Sequence, residues 1–209
     1  MKYFYTLFCC ILFNVSGISQ EIKSIGFREA PTLSINGDFD GDGVIDELKQ
    51  FVADSLGNEL KLIVDGETWE DTVYLYSKYG YYNVFTLNNK ITDIPTYISV
   101  GLYCLINLGN INNSEGDEIA FVPDLSDFSR MNTCRIFSLC KGEWTELFKF
   151  NIHEGVFDYK GDKAPIFKNI PETLKRRKKK WYYYDYIDMD YDGPEEVGKM
   201  KEIKVKPCN

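Results

Sequence analysis

Residues 38–47 read Asp-Phe-Asp-Gly-Asp-Gly-Val-Ile-Asp-Glu, which places five carboxylates within ten positions and no basic side chain among them. Like charges a few ångströms apart raise each other's pKa, so a tight loop of this composition needs a cation at its centre. Asp38, Asp40 and Asp42 stand at alternate positions, from which their side chains can converge on one point. Gly43 allows the chain to bend sharply behind them. The stretch therefore predicts a metal-binding loop.

Two more oxygen donors complete the predicted site. The Val44 carbonyl can add one ligand, and the carboxylate of Asp46 can close the coordination shell. All of these are hard oxygen donors, which suit Ca²⁺ better than a softer metal. The alternative is that the Asp-Gly pairs only form turns. The alternating spacing favours calcium over that alternative.

The motif also carries a resemblance to a known family. The loop opens like an EF-hand, but Lys49 stands at the twelfth position, where an EF-hand has a bidentate Glu. The shorter form, Asp-x-Asp-x-Asp-Gly-x-x-Asp followed by an apolar strand, resembles the calcium loops of FG-GAP and VCBS-type repeats. Those repeats occur in integrin-like propellers and in bacterial secreted proteins. The resemblance implies an exported β-protein in which calcium is structural.

Two weaker copies of the segment follow along the chain, and each reads as strand, acidic loop, strand. The three loops begin at Asp38, Asn110 and Asp188, so the repeats are 72 and 78 residues apart. The second copy offers uncharged Asn110, Asn112 and Ser114, and it aligns with one residue fewer before Asp117. We therefore expect it to keep the turn and to lose most of the cation affinity. The third copy predicts a second calcium site, with ligands Asp188, Asp190, Asp192, the Pro194 carbonyl and Glu196.

The remaining pattern predicts an all-β domain. The chain contains 15 Tyr and 14 Phe, which favour strands. Residues 60–64 and 72–76 read as two strands joined by a turn at Asp65-Gly66, and residues 44–52 read as a strand, although their spacing also suits a helical face. Three repeats are too few for a regular propeller of four to eight blades. We expect a small propeller-like or sandwich-like antiparallel fold built from about three repeats.

The N-terminus predicts export. Residues 1–19 contain Lys2, an apolar run from Leu7 to Val15 and a small-residue end, which is typical of a signal peptide cleaved after Ser19. The apolar run is too short to span a membrane. Cys9 and Cys10 raise the alternative of a lipoprotein, which the bulky residues before them disfavour. Residues 20–209 then form one secreted or periplasmic domain without a transmembrane helix.

Four cysteines remain after the predicted cleavage, and they indicate one or two disulfides. If Cys134 and Cys140 lie on one extended strand, they are about 20 Å apart and cannot pair. A bond from Cys104 to either of them is then the favoured local pairing. The four cysteines are Cys104, Cys134, Cys140 and Cys208.

Charge and catalytic motifs narrow the functional classes. The predicted mature chain carries 23 basic and 32 acidic side chains, a net charge of −9, which disfavours nucleic acid and anionic membranes as partners. The basic run 175–180 is interpreted as a solvated loop whose charge is offset by the acidic third copy. His153 is the sole histidine and no Gly-x-Ser-x-Gly motif is present, so we do not expect an enzyme.

These observations leave two functional hypotheses. In the first, an exported calcium-binding module binds a protein or a glycan outside the cytoplasm. In the second, the protein is a periplasmic inhibitor or immunity protein that blocks a cell-wall hydrolase of the lysozyme type. The second follows from the resemblance to VCBS-like proteins, some of which look like immunity proteins, and a basic hydrolase would be attracted to an acidic surface.

Overall fold

The computed structural model describes residues 25–96, 99–114, 116–125, 129, 131–157, 173–186 and 199–208. Within them the chain forms thirteen strands, one α-helix and one short 3₁₀ helix, and every strand pairing is antiparallel. The predicted all-β class is therefore confirmed. The strands are β1 (Ile25–Glu29), β2 (Thr32–Gly37), β3 (Asp46–Ala53), β4 (Leu62–Gly66), β5 (Tyr82–Leu87), β6 (Lys90–Thr92), β7 (Ser99–Gly109), β8 (Glu118–Leu125), β9 (Met131–Cys140), β10 (Glu143–His153), β11 (Leu174–Arg177), β12 (Lys180–Tyr183) and β13 (Lys201–Glu202).

The strands form three stacked sheets. The first sheet has the order β2-β3-β5-β6, the central sheet β10-β9-β8-β7 and the third sheet β11-β12-β13, while β1 and β4 form a separate ribbon. One apolar cluster joins the first and central sheets, and it includes Phe39, Leu48, Phe85, Leu105, Phe121 and Phe137. A second cluster joins the central and third sheets, and it includes Val122, Ile136, Phe150, Leu174 and Ile203. The arrangement is sandwich-like.

The central sheet is covered on both faces, and its sequence reflects this. Ile119 and Phe121 of β8 pack towards the first sheet, whereas Ala120 and Val122 pack towards the third. Alternate residues of a strand point to opposite faces, so a strand covered on both sides has to be apolar at successive positions. Residues 119–122 satisfy this requirement and are all fully buried.

The predicted strand at residues 72–76 is wrong, because these residues belong to helix α1 (Trp69–Tyr79). Thr68 caps the helix by accepting a hydrogen bond from the Asp71 amide, and Gly80 ends it in the left-handed conformation. The helix buries Leu75 and Tyr76 against the core. These capping residues override the strand preference of the Thr-Val-Tyr sequence between them.

The predicted turn at Asp65-Gly66 is also wrong. Both residues belong to β4, which pairs with β1, and the chain enters α1 directly afterwards. A β-carbon on Gly66 would lie 2.4 Å from the β-carbon of Asp71. A glycine therefore allows the close packing of strand against helix at this position. The strand predicted for residues 44–52 is confirmed as β3, although it begins at Asp46 and leaves Val44 and Ile45 in the loop.

In the described part of the chain, neither helix has the length and apolar character that a membrane span requires.

The favoured cysteine pairings are also wrong. Cys140 is bonded to Cys208, whereas Cys104 and Cys134 are buried free thiols. Cys104 lies beside Val122 in the central sheet, and the β8–β9 register continues Val122 towards Cys134. The backbones of Cys104 and Cys134 are therefore two strand spacings apart, about 9.6 Å. This exceeds the distance between Cα atoms that a disulfide can bridge. Burial raises the pKa of Cys104 to about 12, so this thiol stays protonated.

Candidate metal centre

The first acidic loop joins the neighbouring strands β2 and β3, whose last pair is Gly37 with Asp46. The structure brings together the three predicted ligands at alternate positions, Asp38, Asp40 and Asp42. One carboxylate oxygen from each lies within 4.8 Å of the others. Asp40 and Asp42 are exposed and Asp38 is half-buried. The loop therefore presents a cluster of three carboxylates at the protein surface.

Hydrogen bonds from the loop backbone hold these carboxylates in place. The Asp42 amide donates to Asp40 Oδ1 (3.1 Å), the Gly43 amide to Asp38 Oδ2 (3.1 Å) and the Val44 amide to Asp42 Oδ1 (2.7 Å). Gly41 and Gly43 have φ values of 77° and 84°, a region that favours glycine. Each aspartate thus uses one oxygen to shape the loop.

The second oxygen of Asp38 carries the strongest chemical signal in the loop. Asp38 Oδ1 is buried and has no hydrogen-bond partner among the described residues. An unsatisfied buried polar atom costs about 1–3 kcal/mol, and a charged one costs more. A cation held by the cluster would satisfy this oxygen and offset the repulsion between the carboxylates. The donor set fits Ca²⁺, because carboxylate oxygens are hard ligands.

Asp46 has a different position from the other three aspartates. Its side chain is buried, Oδ2 accepts a hydrogen bond from the Phe39 amide (3.1 Å), and Oδ1 accepts one from Asn88 Nδ2 (2.6 Å). Asp46 therefore closes the loop from the inside and ties it to the turn between β5 and β6. The Val44 side chain is exposed at the outer end of the loop.

Sequence reasoning missed Asn88, although a signal was present. Asn88 and Asn89 both have positive φ and form the two-residue turn of the β5–β6 hairpin. Such a turn requires positive φ at both positions, and Asn adopts positive φ more readily than most residues. The contact with Asp46 spans 42 residues of sequence, so the turn could be predicted but its partner could not.

The second loop, between β7 and β8, has the same length as the first. Glu118 occupies the position of Asp46: it is fully buried and accepts hydrogen bonds from the amides of Ile111 (2.7 Å) and Asn112 (3.1 Å). Ser138 donates a third hydrogen bond to it (2.8 Å). The predicted alignment through Asp117, with one residue deleted, is therefore wrong, because the next acid is the structural equivalent.

The second loop also repeats the local geometry of the first, with uncharged Asn110, Asn112 and Ser114 in the places of the three aspartates. The Ser114 amide donates to Asn112 Oδ1 (2.6 Å), as the Asp42 amide does to Asp40. The Asn110 side chain donates to the Ser114 carbonyl. The prediction that this copy keeps the turn is confirmed, and its affinity for a cation stays a prediction.

Hydrogen bonds connect the first loop to the second, and the sequence did not indicate these contacts. The Asp117 amide donates to the Asp38 carbonyl (2.7 Å), and Asn107 Nδ2 donates to the Asn36 carbonyl (2.9 Å) and to Asp117 Oδ2 (3.0 Å). A β-carbon on Gly116 would lie 2.3 Å from the carbonyl oxygen of Phe39. The first loop is therefore seated on the second, and its conformation is coupled to the central sheet.

The third predicted site lies outside the described residues. This applies to Asp188, Asp190, Asp192, Pro194 and Glu196, and also to the signal peptide over residues 1–19. The strands that flank the third loop, β12 and β13, are antiparallel neighbours, like the strands that flank the first and second loops. The second calcium site stays a prediction.

His153 has a structural environment. It is buried, its Nδ1 accepts a hydrogen bond from the Gly155 amide (2.9 Å), and its ring lies 5.5 Å from that of Tyr186. It caps the 3₁₀ helix Glu154–Val156 at the end of β10.

Comparison with known proteins yields no relative of the chain. No protein-family profile, no curated protein sequence and no solved structure matches it. The resemblance to FG-GAP and VCBS-type repeats therefore rests on the loop motif and its repetition.

Proposed function

We propose that the protein is an exported binding module of the FG-GAP or VCBS type, stabilised by structural calcium. A calcium ion bound by Asp38, Asp40 and Asp42 orders the first loop and its contact with the second. The module then acts by binding a protein or a glycan outside the cytoplasm. The observation that carries the proposal is the convergence of three carboxylates, one of which, Asp38, has a buried oxygen, Oδ1, with no hydrogen-bond partner among the described residues.

The expected contribution of calcium is modest. With a Kd of about 10⁻⁴ M and calcium at about 1 mM, one site adds roughly 1.4 kcal/mol to the free energy of unfolding. The first loop is hydrogen-bonded to the second, so this stabilisation extends beyond the loop to the junction of two sheets.

Two further features support export. The Cys140–Cys208 disulfide links the end of β9 to the C-terminal segment, and disulfides persist in oxidising compartments. The predicted signal peptide over residues 1–19 agrees with this location. Together they favour a secreted or periplasmic protein, where calcium reaches millimolar concentrations.

The test is a calorimetric calcium titration and thermal unfolding of residues 20–209 in calcium and in chelator. Asp40→Asn is the informative variant, because the amide oxygen can still accept the Asp42 hydrogen bond, as Asn112 does for Ser114 in the second loop. We expect this variant to lose one binding site and most of the calcium-dependent rise in Tm. Asp93→Asn, at an exposed acid outside the loops, is the matched control.

Identical melting of the parent protein in calcium and in chelator, with no heat of binding, would rule out the calcium proposal. If the Asp40→Asn variant still binds calcium at one site, that site would belong to the predicted third loop around Asp188.

An acidic cleft favours a second candidate function, inhibition of a basic cell-wall hydrolase. The cleft has a volume of about 320 Å³ and lies between α1, β1 and β8, with three acids and one arginine in its wall. Arg28 donates to the Tyr76 hydroxyl (2.7 Å) and approaches Asp124 (3.6 Å). Burial raises the pKa of Asp124, although Arg28 opposes this. The lining residues include Arg28, Asp65, Trp69, Tyr103, Asp124 and Glu154.

This candidate is tested by measuring hydrolysis of a cell-wall suspension by a lysozyme-type enzyme in the presence of the protein. We expect inhibition that weakens with salt and with Asp124→Asn, because a cationic partner would pair with the acids of the cleft. Asp93→Asn again serves as the control. Full hydrolase activity at a large excess of protein would eliminate this candidate and leave the calcium proposal intact.

A further inference from the structure

The third sheet carries a strongly basic hairpin in an acidic protein. Strands β11 and β12 are joined by a turn at Lys178-Lys179, with Lys178 at a φ of 59°. All six residues from 175 to 180 are basic and exposed, whereas the rest of the chain has 18 basic and 32 acidic side chains. We call residues 175–180 the basic tip. The adjacent segment adds exposed lysines at positions 199, 201, 204 and 206.

The base of the hairpin is fixed in the protein core. Trp181 Nε1 donates to the Leu108 carbonyl of the central sheet (2.8 Å), and the Tyr183 ring lies 4.9 Å from the ring of Phe150. Leu174 is buried in the same cluster. The hairpin is thus anchored by its apolar residues, and its charged end faces solvent.

This arrangement does not suit the recognition of bases. Proteins that bind single-stranded nucleic acid combine a basic groove with exposed aromatic rings on which bases stack. Here Trp181 and Tyr183 pack into the core, and Tyr182 lies under the Arg177 guanidinium at 5.3 Å. The tip of a two-residue turn is convex and presents point charges. A convex, polybasic surface fits a flat anionic surface better than it fits a single strand of nucleic acid.

We propose that the basic tip docks this protein onto an anionic membrane surface. Clusters of four to eight Lys and Arg residues bind anionic lipid headgroups in this way. The acidic remainder of the molecule does not prevent contact at the tip, because charges more than about 8 Å away are largely screened at physiological salt. An acidic face that came within this distance would be repelled, so the contact with lipid is made by the tip.

The proposal departs from the interpretation of the run as a solvated loop neutralised by the acidic third copy. Some members of the tip have contacts within the protein: Lys180 pairs with Glu202 at 2.8 Å, and the Arg177 guanidinium lies over Tyr182. Lys178 and Lys179 at the turn are the best placed to reach a surface first. They are therefore the residues to change.

The experiment is co-sedimentation of residues 20–209 with phosphatidylcholine vesicles and with vesicles containing equal phosphatidylcholine and phosphatidylglycerol. We expect binding to the anionic vesicles alone and its loss in 0.5 M salt. Lys178→Gln with Lys179→Gln should lower the partition coefficient about 25-fold, or about fivefold per cation. Lys90→Gln with Lys141→Gln, at exposed lysines in or beside other hairpin turns, is the matched control and should change it little.

Every measurement is made in chelator as well as in calcium, so that docking by the tip is separated from any effect of the first loop. Equal binding to both vesicle types, or equal loss in the control pair, would overturn the proposal. The absence of binding to anionic vesicles would likewise overturn it. Tighter binding to oligo(dT) than to anionic vesicles would assign the tip to nucleic acid instead.

Discussion

The first and second loops share a backbone design but differ at three positions, where the first has Asp38, Asp40 and Asp42 and the second has uncharged Asn110, Asn112 and Ser114. Each spans nine positions and ends on a buried acid that binds backbone amides at the start of its loop, Asp46 in the first and Glu118 in the second. The third position differs in its environment. Asp40 is exposed, whereas Asn112 is buried and its amide lies against Cys208 Sγ at 3.9 Å. The buried acid builds the loop, and exposure of the third position decides whether the loop can carry charge.

Removing the buried acid of the second loop is the most direct test of whether these acids maintain the loops. Glu118→Ala leaves two backbone amides and the Ser138 hydroxyl without their acceptor, so we expect a loss of about 3 kcal/mol in the free energy of unfolding. Urea denaturation measures the loss. Glu143→Ala, at an exposed acid of the same sheet, should cost little. A loss below about 1 kcal/mol for Glu118→Ala would mean that the loop does not depend on this acid.

Exchanging the residue types at the third positions, Asp40 and Asn112, tests whether solvent exposure decides where a loop tolerates a carboxylate. Asn112→Asp places a carboxylate in a buried position beside Glu118, so its pKa should rise and the free energy of unfolding should fall by about 2 kcal/mol at neutral pH. Asp40→Asn in chelator should cost nothing, since it removes one of three repelling charges. Chemical denaturation of both variants at pH 5 and pH 8 provides the check. Equal effects of the two exchanges would show that burial is not the difference.

The link between the first loop and the β5–β6 turn gives a smaller effect. Asn88→Ala removes a donor to Asp46 and an acceptor for the Glu47 amide, at a position with a φ of 50°. We expect a loss of about 1.5 kcal/mol and weaker calcium binding, because Asp46 would be less firmly held. Asn88→Gly keeps the backbone conformation accessible and separates strain from the lost hydrogen bonds. Unchanged calcium affinity in both variants would disconnect this turn from the loop.

The comparison also shows what local sequence can predict. The spacing of Asp38, Asp40 and Asp42 predicted their convergence, because residues at alternate positions of one loop are neighbours whatever the fold. The partners of the loop come from 41 to 79 residues away, and no local pattern points to them. The error in aligning Asp117 has the same origin, since two adjacent acids cannot be told apart until one of them is buried.

The errors elsewhere are of two kinds. For helix α1 the capping residues Thr68 and Gly80 were in the sequence, and they outweigh strand preferences that depend strongly on context. For the disulfide, no such signal existed. The distance between Cys104 and Cys134 follows from which strands are neighbours in the central sheet, which is a property of the whole fold.

The smallest expected effect concerns pH and the buried acid of the second loop, Glu118. Burial raises the pKa of Glu118 above its unfolded value of about 4.5, helped by the nearby charge of Asp117, while hydrogen bonds from the Ile111 and Asn112 amides and from Ser138 oppose this. The folded carboxyl keeps its proton at pH values where the unfolded one has released it. Stability from this group is therefore lost as pH rises from about 4.5 through the folded pKa.

Glu118→Gln cannot titrate and should remove this part of the pH dependence. We expect the difference in Tm between the parent protein and the variant to shift in favour of the variant as pH rises from 4 to 7. Asp46→Asn, the corresponding change in the first loop, provides the comparison between the two loops. A Tm difference for Glu118→Gln that is constant from pH 4 to pH 7 would mean that the buried acid of the second loop ionises alike in the folded and unfolded chains, and that this loop is maintained by its hydrogen bonds alone.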